Sequence, residues 1–508
     1  MKETEVVIMK SGVLRFFSLL LTMTLLTSVI ISCTHDVDDG GDDVTEPPVT
    51  GGFDPERTSL ENAMAQYANL NYLRGEEIVI LSTSPGPQLY YYSGAEENEL
   101  WYEKPSSEML SNAIYQRNSK LEEALGITIK PLWGGSPSEV NTLVTLNDSA
   151  GNHEFSAVLN RLDYEMTYAA NGQLLNLRDI PSINVENNWW NSEIVDTFTF
   201  FGDKLYVIAG DINYYDDYAV NITIFNKDLC SAIRYEYPYQ AVRDGTWTMD
   251  LMTEMAMAAK ADRNGDDIFD PTTGDILGLA DDNDTMFHFI YGYGLTMSNK
   301  NSEGKPEIVW ANDINVSVIE KIYDIVNADY TYITNDTLAT VEQFKRSRIL
   351  FYTEMLGVLP TLRDMETDFG ILPMPKGEQN MDGYRAYVSN GWSTSFAIPK
   401  TLSVEDAYDT GIVLECMSAA SADIITPALY DQLLEARYIR DPESKEMLTY
   451  IFDSKVYDLA NDLAWALPLR TTYKETRTSG PASFTRTMQK VKSSLEKSLD
   501  EFCAGLAG

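Results

Sequence analysis

Histidine is nearly missing from this chain, with three in 508 residues. His35 falls in a polar stretch near the N-terminus, so His-based zinc centres and His-dependent triads have only His153 and His288 to draw on. Basic residues are also scarce: 38 Lys and Arg stand against 77 Asp and Glu, a formal net charge of −39 with pI near 4.3. A chain this acidic repels a phosphate backbone, which excludes nucleic-acid binding. Cysteine is nearly as rare, with four. Cys230, Cys416 and Cys503 are too widely spaced for a metal pattern and cannot all pair within one chain, so they read as buried free thiols. No GxSxG, HExxH, P-loop or GxGxxG after a strand is present, and no internal repeat.

At 57.1 kDa the chain exceeds what one core organises, and its 44% apolar share can bury two. Lys2, Lys10 and Arg15 precede an uncharged run, residues 16–31, which ends at Ser32-Cys33. That is the layout of a secretory signal, and the run is short for a membrane span. Ile30-Ile31-Ser32-Cys33 resembles the bacterial lipobox. Residues 1–32 are then expected to be a lipoprotein signal peptide, with Cys33 carrying diacylglycerol and palmitate-type acylation on the extracellular face of the cell membrane. Residues 33–56 are acidic and rich in Gly and Pro, with little to bury, and read as a solvated tether.

The folded part opens strand, helix, strand. Residues 77–81 are β-rich, Leu110, Ala113, Ile114, Leu121 and Leu125 recur at helical spacing, and residues 127–129 resume a strand after Gly126. A helix over 138–146 and a strand over 155–159 follow, so a doubly wound α/β sheet is expected, with ligand beyond the strands' carboxyl ends. Those ends are Ser82-Thr83-Ser84 and Asn160-Arg161-Leu162-Asp163. Further on, the aromatic and acidic segment DINYYDD, residues 211–217, sits between strands 204–208 and 221–227. Thr248 then caps a helix whose Met252, Met255, Ala256 and Ala259 read as a core face.

GDKLYVIAGD leading to ITIFNKDL, then YQAVRDGTWTMDLMTEMA, DRNGDD, FYTEML, LRDMETDFGILPMPKG and ALYDQLLEARYIRDPESKEML resemble the family 1 extracellular solute-binding proteins over residues 160–457. These are lipid-anchored, carbohydrate-type receptors of bacterial ABC importers. The resemblance implies a two-lobed periplasmic-binding-protein-like fold of type II, with doubly wound lobes joined at a hinge that closes on ligand. The first lobe would comprise residues 57–217 and 384–422, and the second 218–383 and 423–508.

The resemblance also implies ligand contacts. Asn160, Arg161 and Asp163 follow the third strand, and Asp211, Tyr214, Tyr215 and Asp217 lie in the first hinge crossing. Tyr352, with Glu354, occupies an expected strand-to-helix turn, Trp392 lies beside the second hinge, and Tyr430 is on a late helix. Sugars suit such a set, because aromatic rings stack on C–H faces while carboxylates, amides and Arg bind hydroxyls. The pair Trp189-Trp190 reads instead as structural packing.

The expected partners are an oligosaccharide-like solute, ABC permease subunits and the membrane through its lipid, with the protein itself a monomer and not an enzyme. No cofactor is required. A structural calcium is one reading of the loop from residue 262 to 270, with ligands Asp262, Asn264, Asp266, the Ile268 carbonyl and Asp270. Asp267 replaces the glycine of an EF-hand, and Thr273 its bidentate acid, so a solvated acidic turn is the other reading. The competing function classes are a surface glycoside hydrolase, for which no carboxylate pair can be singled out among 77 acids, and a passive sugar-docking lipoprotein built from helical repeats, whose period is missing.

Overall fold

The computed structural model of the protein describes residues 53–85, 98–281, 284–435, 438–461 and 463–507. The expected signal peptide, Cys33 and the tether through residue 52 lie outside the described residues.

In chain order the principal strands are β1 (Glu77–Ser82), β2 (Thr128–Trp133), β3 (Ala157–Arg161), β4 (Asn221–Asn226), β5 (Leu277–Asp281), β6 (Thr331–Ile333), β7 (Ile349–Met355), β8 (Phe369–Pro373), β9 (Ala386–Tyr387), β10 (Thr394–Ala397) and β11 (Lys455–Val456). The helices used below are α1 (Met109–Leu125), α2 (Pro137–Ala150), α3 (Leu162–Ala170), α4 (Met249–Ala259), α5 (Thr285–Gly292), α6 (Asp313–Val326), α7 (Val404–Glu435), α8 (Leu467–Ser479) and α9 (Pro481–Ala507).

Two sheets result. The first has the order β10-β3-β1-β2, with β1, β2 and β3 parallel and β10 antiparallel on the edge. The second has the order β6-β5-β7-β4-β8, with β5, β6 and β7 parallel and β4 antiparallel to both its neighbours. Local sequence explains the pieces. Helix α1 stops because Gly126, at φ 73°, adopts the left-handed conformation and its N–H returns to the Glu122 carbonyl. Helix α2 starts in a capping box, in which the Ser136 hydroxyl accepts the Glu139 N–H and the Glu139 carboxylate accepts the Ser136 N–H at 2.7 Å. Thr248 caps α4 as expected, and Met252, Met255, Ala256 and Ala259 are buried. Cys230, Cys416 and Cys503 are free and buried.

The segments between the sheets run side by side. Ile208 bridges Phe396 at the first sheet, Val220 bridges Val388, and the Leu356 N–H reaches the Val220 carbonyl at the second. Helix α7 packs on α1 and on the short helix Ser59–Met64, and it is continuous through residue 422, where a lobe boundary was expected. This helix is long and apolar enough to cross a membrane, yet 67% of its most apolar window is buried inside the protein, which makes it a core helix here. The last helix, α9, lies against α6 beside the second sheet and also against α3 of the first. At its end the Leu506 carbonyl accepts the Tyr206 hydroxyl at 2.7 Å, and the Phe502 ring meets Phe200 edge-on.

Candidate functional site

The parallel strands of each sheet direct their carboxyl ends toward the crossing segments, and the turn between β9 and β10 joins the two sides. From the first lobe, the Leu162 N–H donates to the Ser393 carbonyl at 3.0 Å and the Asp163 N–H to the Asn390 carbonyl. From the second, the Asn390 side-chain amide donates to the carbonyls of Asp458 and Asn461, both at 2.8 Å. Asn461 in turn accepts Arg470 Nε at 2.8 Å, and the Arg470 guanidinium sits 3.5 Å from Asp284 and 4.8 Å above the Phe287 ring. Residues 389–393 therefore form a floor touched by both lobes.

Each expected contact has a definite place. Arg161 and Asp163 form a half-buried fork-to-fork pair with bonds of 3.0 and 2.7 Å, and the guanidinium lies 5.3 Å over the Tyr164 ring. They stand beside the floor, in whose turn half-buried Trp392 sits. Arg161, Asp163 and Trp392 are thus brought together. Asn160 is not with them: it is fully buried, donating to the Pro137 carbonyl and bonded to the Tyr168 hydroxyl. Tyr352 and Glu354 are also enclosed. Both lie inside β7 and not at a strand-to-helix turn, and β7 is an interior strand covered on its two faces, so the Tyr352 ring is fully buried against Phe344. Glu354 accepts its hydroxyl and the Met355 N–H.

The first crossing is packed as well. Tyr214 and Tyr215 are buried with ring centroids 4.9 Å apart, and their N–H groups both donate to Glu99, at 2.5 and 2.8 Å. Asp211 accepts the Thr426 hydroxyl at 2.5 Å, and the Tyr430 ring meets Phe452 edge-on. Asp217 joins a buried triad: the Lys455 ammonium lies between Asp216, at 2.9 Å, and Asp217, while the Tyr457 hydroxyl donates to Asp216. Burial, with Asp216 adding to it, pushes the Asp217 carboxyl up to about 6 against the pull of Lys455. Burial likewise raises Glu99 to about 7 and drops His288 to about 4, so His288 is a neutral imidazole at physiological pH.

Glu99, Lys455, Asn461, Arg470 and Asp284 were not singled out in the sequence, because each acts on a partner far away in the chain and none sits in a motif. Trp189 and Trp190 prove structural: both indole N–H groups donate to buried Glu415, at 2.7 and 2.8 Å. In the acidic loop, carboxylate oxygens of Asp262, Asp266 and Asp275 lie within 4.8 Å of one another. Asp267 takes the left-handed conformation, φ 62°, that an EF-hand gives to glycine. Asn264 donates to Asp266 and Thr273, Asp270 accepts the Thr272 N–H, and Ile268 is exposed. Asp275 is held below the usual carboxylate range by the Arg263 and Asp270 N–H groups, and it stands with Asp262 and Asp266 where Asp270 was expected.

Two α/β lobes, a pair of crossing segments and a floor shared by both lobes define the two-lobed fold of extracellular solute-binding proteins. The chain shares that fold with a family 1 extracellular solute-binding protein from Bifidobacterium longum subsp. infantis, at TM-score 0.51 and 14% identity over 85% of this chain and 99% of that one. UgpB from Mycobacterium tuberculosis, solved with glycerophosphocholine, gives TM-score 0.53 and 15% identity over 78% and 99%. The GacH receptor of Streptomyces glaucescens, solved free and with acarbose, gives TM-score 0.51 and 12% identity over 84% and 99%. No protein-family model matches the chain, and no curated protein does.

Proposed function

We propose that the protein captures a solute, an oligosaccharide by preference, at the interlobe floor and delivers it to the permease of an ABC importer. The observation that carries this reading is the turn at residues 389–393, which is hydrogen-bonded to both lobes and presents Trp392 beside Arg161 and Asp163. Each flanking Arg already has its own carboxylate, Arg161 with Asp163 and Arg470 with Asp284, so the walls offer hydrogen-bond donors and acceptors while carrying little net charge. Neutral hydroxyl-rich ligands suit such walls, and a half-buried indole supplies a face for their C–H groups. A ligand held by both lobes favours the closed state because only there does it touch both.

The test is fluorescence titration of tag-free protein against a panel of oligosaccharides, with small-angle scattering on the same samples. Saturable quenching with compaction is the expected result. Binding without compaction would remove the closing hinge from the reading, and sugar cleavage at substrate excess would move the protein to the enzyme class. Anchoring through lipid at Cys33, on the outer face of the membrane, completes the proposal. Cys33→Ala is expected to release the chain or leave it unprocessed, and equal membrane retention after detergent-free washing would refute the anchor.

A further inference from the structure

A cavity of about 500 Å³ opens at the seam between the lobes, adjoining the floor at Asp458 but lined by none of Arg161, Asp163, Trp392 or Arg470. Glu193 and Asp196, on the helix Ser192–Phe198 of the first lobe, form one wall, and Lys300 of the second lobe faces them. Residues 382–385 and 453–459, with polar side chains of residues 197 and 296–299, make the rest. The volume lies within the range of small-molecule sites.

Its charges are unevenly satisfied. Lys300 donates to backbone carbonyls of Asp196 and Thr199, and Lys455 is held by Asp216 and Asp217. Asp458 is buried and accepts the Tyr291 hydroxyl, the Met297 N–H and the Ser298 hydroxyl. Arg385 differs. Its Nε is enclosed with no hydrogen-bond partner among the described residues, and no described carboxylate pairs with it, in a chain with 77 acids. At the rim Glu193, Asp196 and Asp382 are exposed carboxylates. A planar guanidinium without a partner is matched by a carboxylate. The lining's five carboxylates against three cations disfavour a simple anion there, so the ligand must also bring positive charge. Because rim carboxylates accept hydrogen bonds, that charge is better carried by an N–H-bearing ammonium than by a quaternary one.

We propose that this cavity binds a small zwitterion with a primary ammonium group, of amino-acid to dipeptide size, its carboxylate on Arg385 and its ammonium toward Glu193, Asp196 and Asp382. Since the walls come from both lobes, occupancy is coupled to lobe rotation and, by reciprocity, to capture of solute at the floor.

Calorimetry and thermal shift on the folded, tag-free protein test this with glycine and glycylglycine against acetate, methylammonium and glycine betaine. The zwitterions with N–H groups are expected to bind and raise the melting temperature. Arg385→Gln should weaken them by at least about tenfold, Asp382→Asn should weaken them less, and Trp392→Ala should leave them unchanged. Silence from every probe, equal binding of acetate or methylammonium, or betaine binding as well as glycine would overturn the proposal. So would unchanged affinity in folded Arg385→Gln or loss of binding in Trp392→Ala, the latter placing the zwitterion at the floor. Should Arg385→Gln fail to fold, unchanged affinity in Asp382→Asn overturns it instead. None of these failures alters the oligosaccharide titration, so the two readings fall separately.

Discussion

Replacing Lys455 by Met probes the hinge directly. Its ammonium is the cation between Asp216 and Asp217, and the side chains of Lys455, Asp216 and Asp217 are only 11%, 6% and 23% exposed. Deleting it leaves two adjoining, mostly buried carboxylates facing each other, since Tyr457 can donate only one hydrogen bond, to Asp216. Removing one partner of a buried ion pair costs about 3 to 5 kcal/mol, and the second carboxylate puts this case at the upper end. The loss should shrink as the pH falls, because a proton on Asp217 removes one of the stranded charges. Asp217 takes that proton at about 6 even with Lys455 present, and higher without it. Urea unfolding at pH 8 and pH 5 measures this. Adding Asp217→Asn should restore much of the loss at pH 8, because an amide can bond Asp216 without charge. A loss below about 1 kcal/mol at pH 8, the range of an exposed pair, or a double variant no more stable than the single, would refute the argument that the triad is held by burial.

Three further outcomes are expected. Trp392→Ala should weaken solute binding by about 1 to 3 kcal/mol with the fold retained, whereas fully buried Tyr352→Ala should cost about 3 to 5 kcal/mol of stability; titration and melting of both variants check the contrast, and the reverse pattern would exchange their roles. Glu99 binds its proton more tightly folded, at about 7, than unfolded, so its contribution is present below the unfolded value near 4.5 and is lost as pH rises through 7, a change of about 3 kcal/mol that Glu99→Gln should abolish in melting curves from pH 5 to 8. A structural calcium in the 262–275 loop would raise the melting temperature with the logarithm of free calcium, and equal melting in excess chelator and in millimolar calcium would leave a solvated acidic turn.

Much of the first lobe was legible because its signals are local. Hydrophobic spacing, Gly126 and the Ser136-Glu139 box each act within a few residues, and β1, α1, β2, α2 and β3 follow in that order. The site was only partly legible. The resemblance singled out Arg161, Asp163 and Trp392, which the fold sets near one another at the end of β3 and in the 389–393 turn. Tyr352 misled for a physical reason: an aromatic among β-formers looks the same whether its strand is an edge or an interior one, and only the second sheet's order decides. Lys455 and Arg470 were invisible for the complementary reason, since the carboxylates they pair with lie far off in the chain at no fixed spacing, as with Lys455 and Asp216 at 239.

The docking of α9 has a consequence for the order of assembly. The first sheet takes its edge strand, β10, from residues 394–397, and the cover of α3 is completed when the final turns of α9 arrive, with Gly505 so close to Ala170 that a Cβ there would lie 1.8 Å from its carbonyl oxygen. The lobe made first is therefore finished last. Contacts this distant in sequence close slowly, and until α9 docks the part of α3 that it covers stays open, which leaves a chain still folding exposed to aggregation over that face.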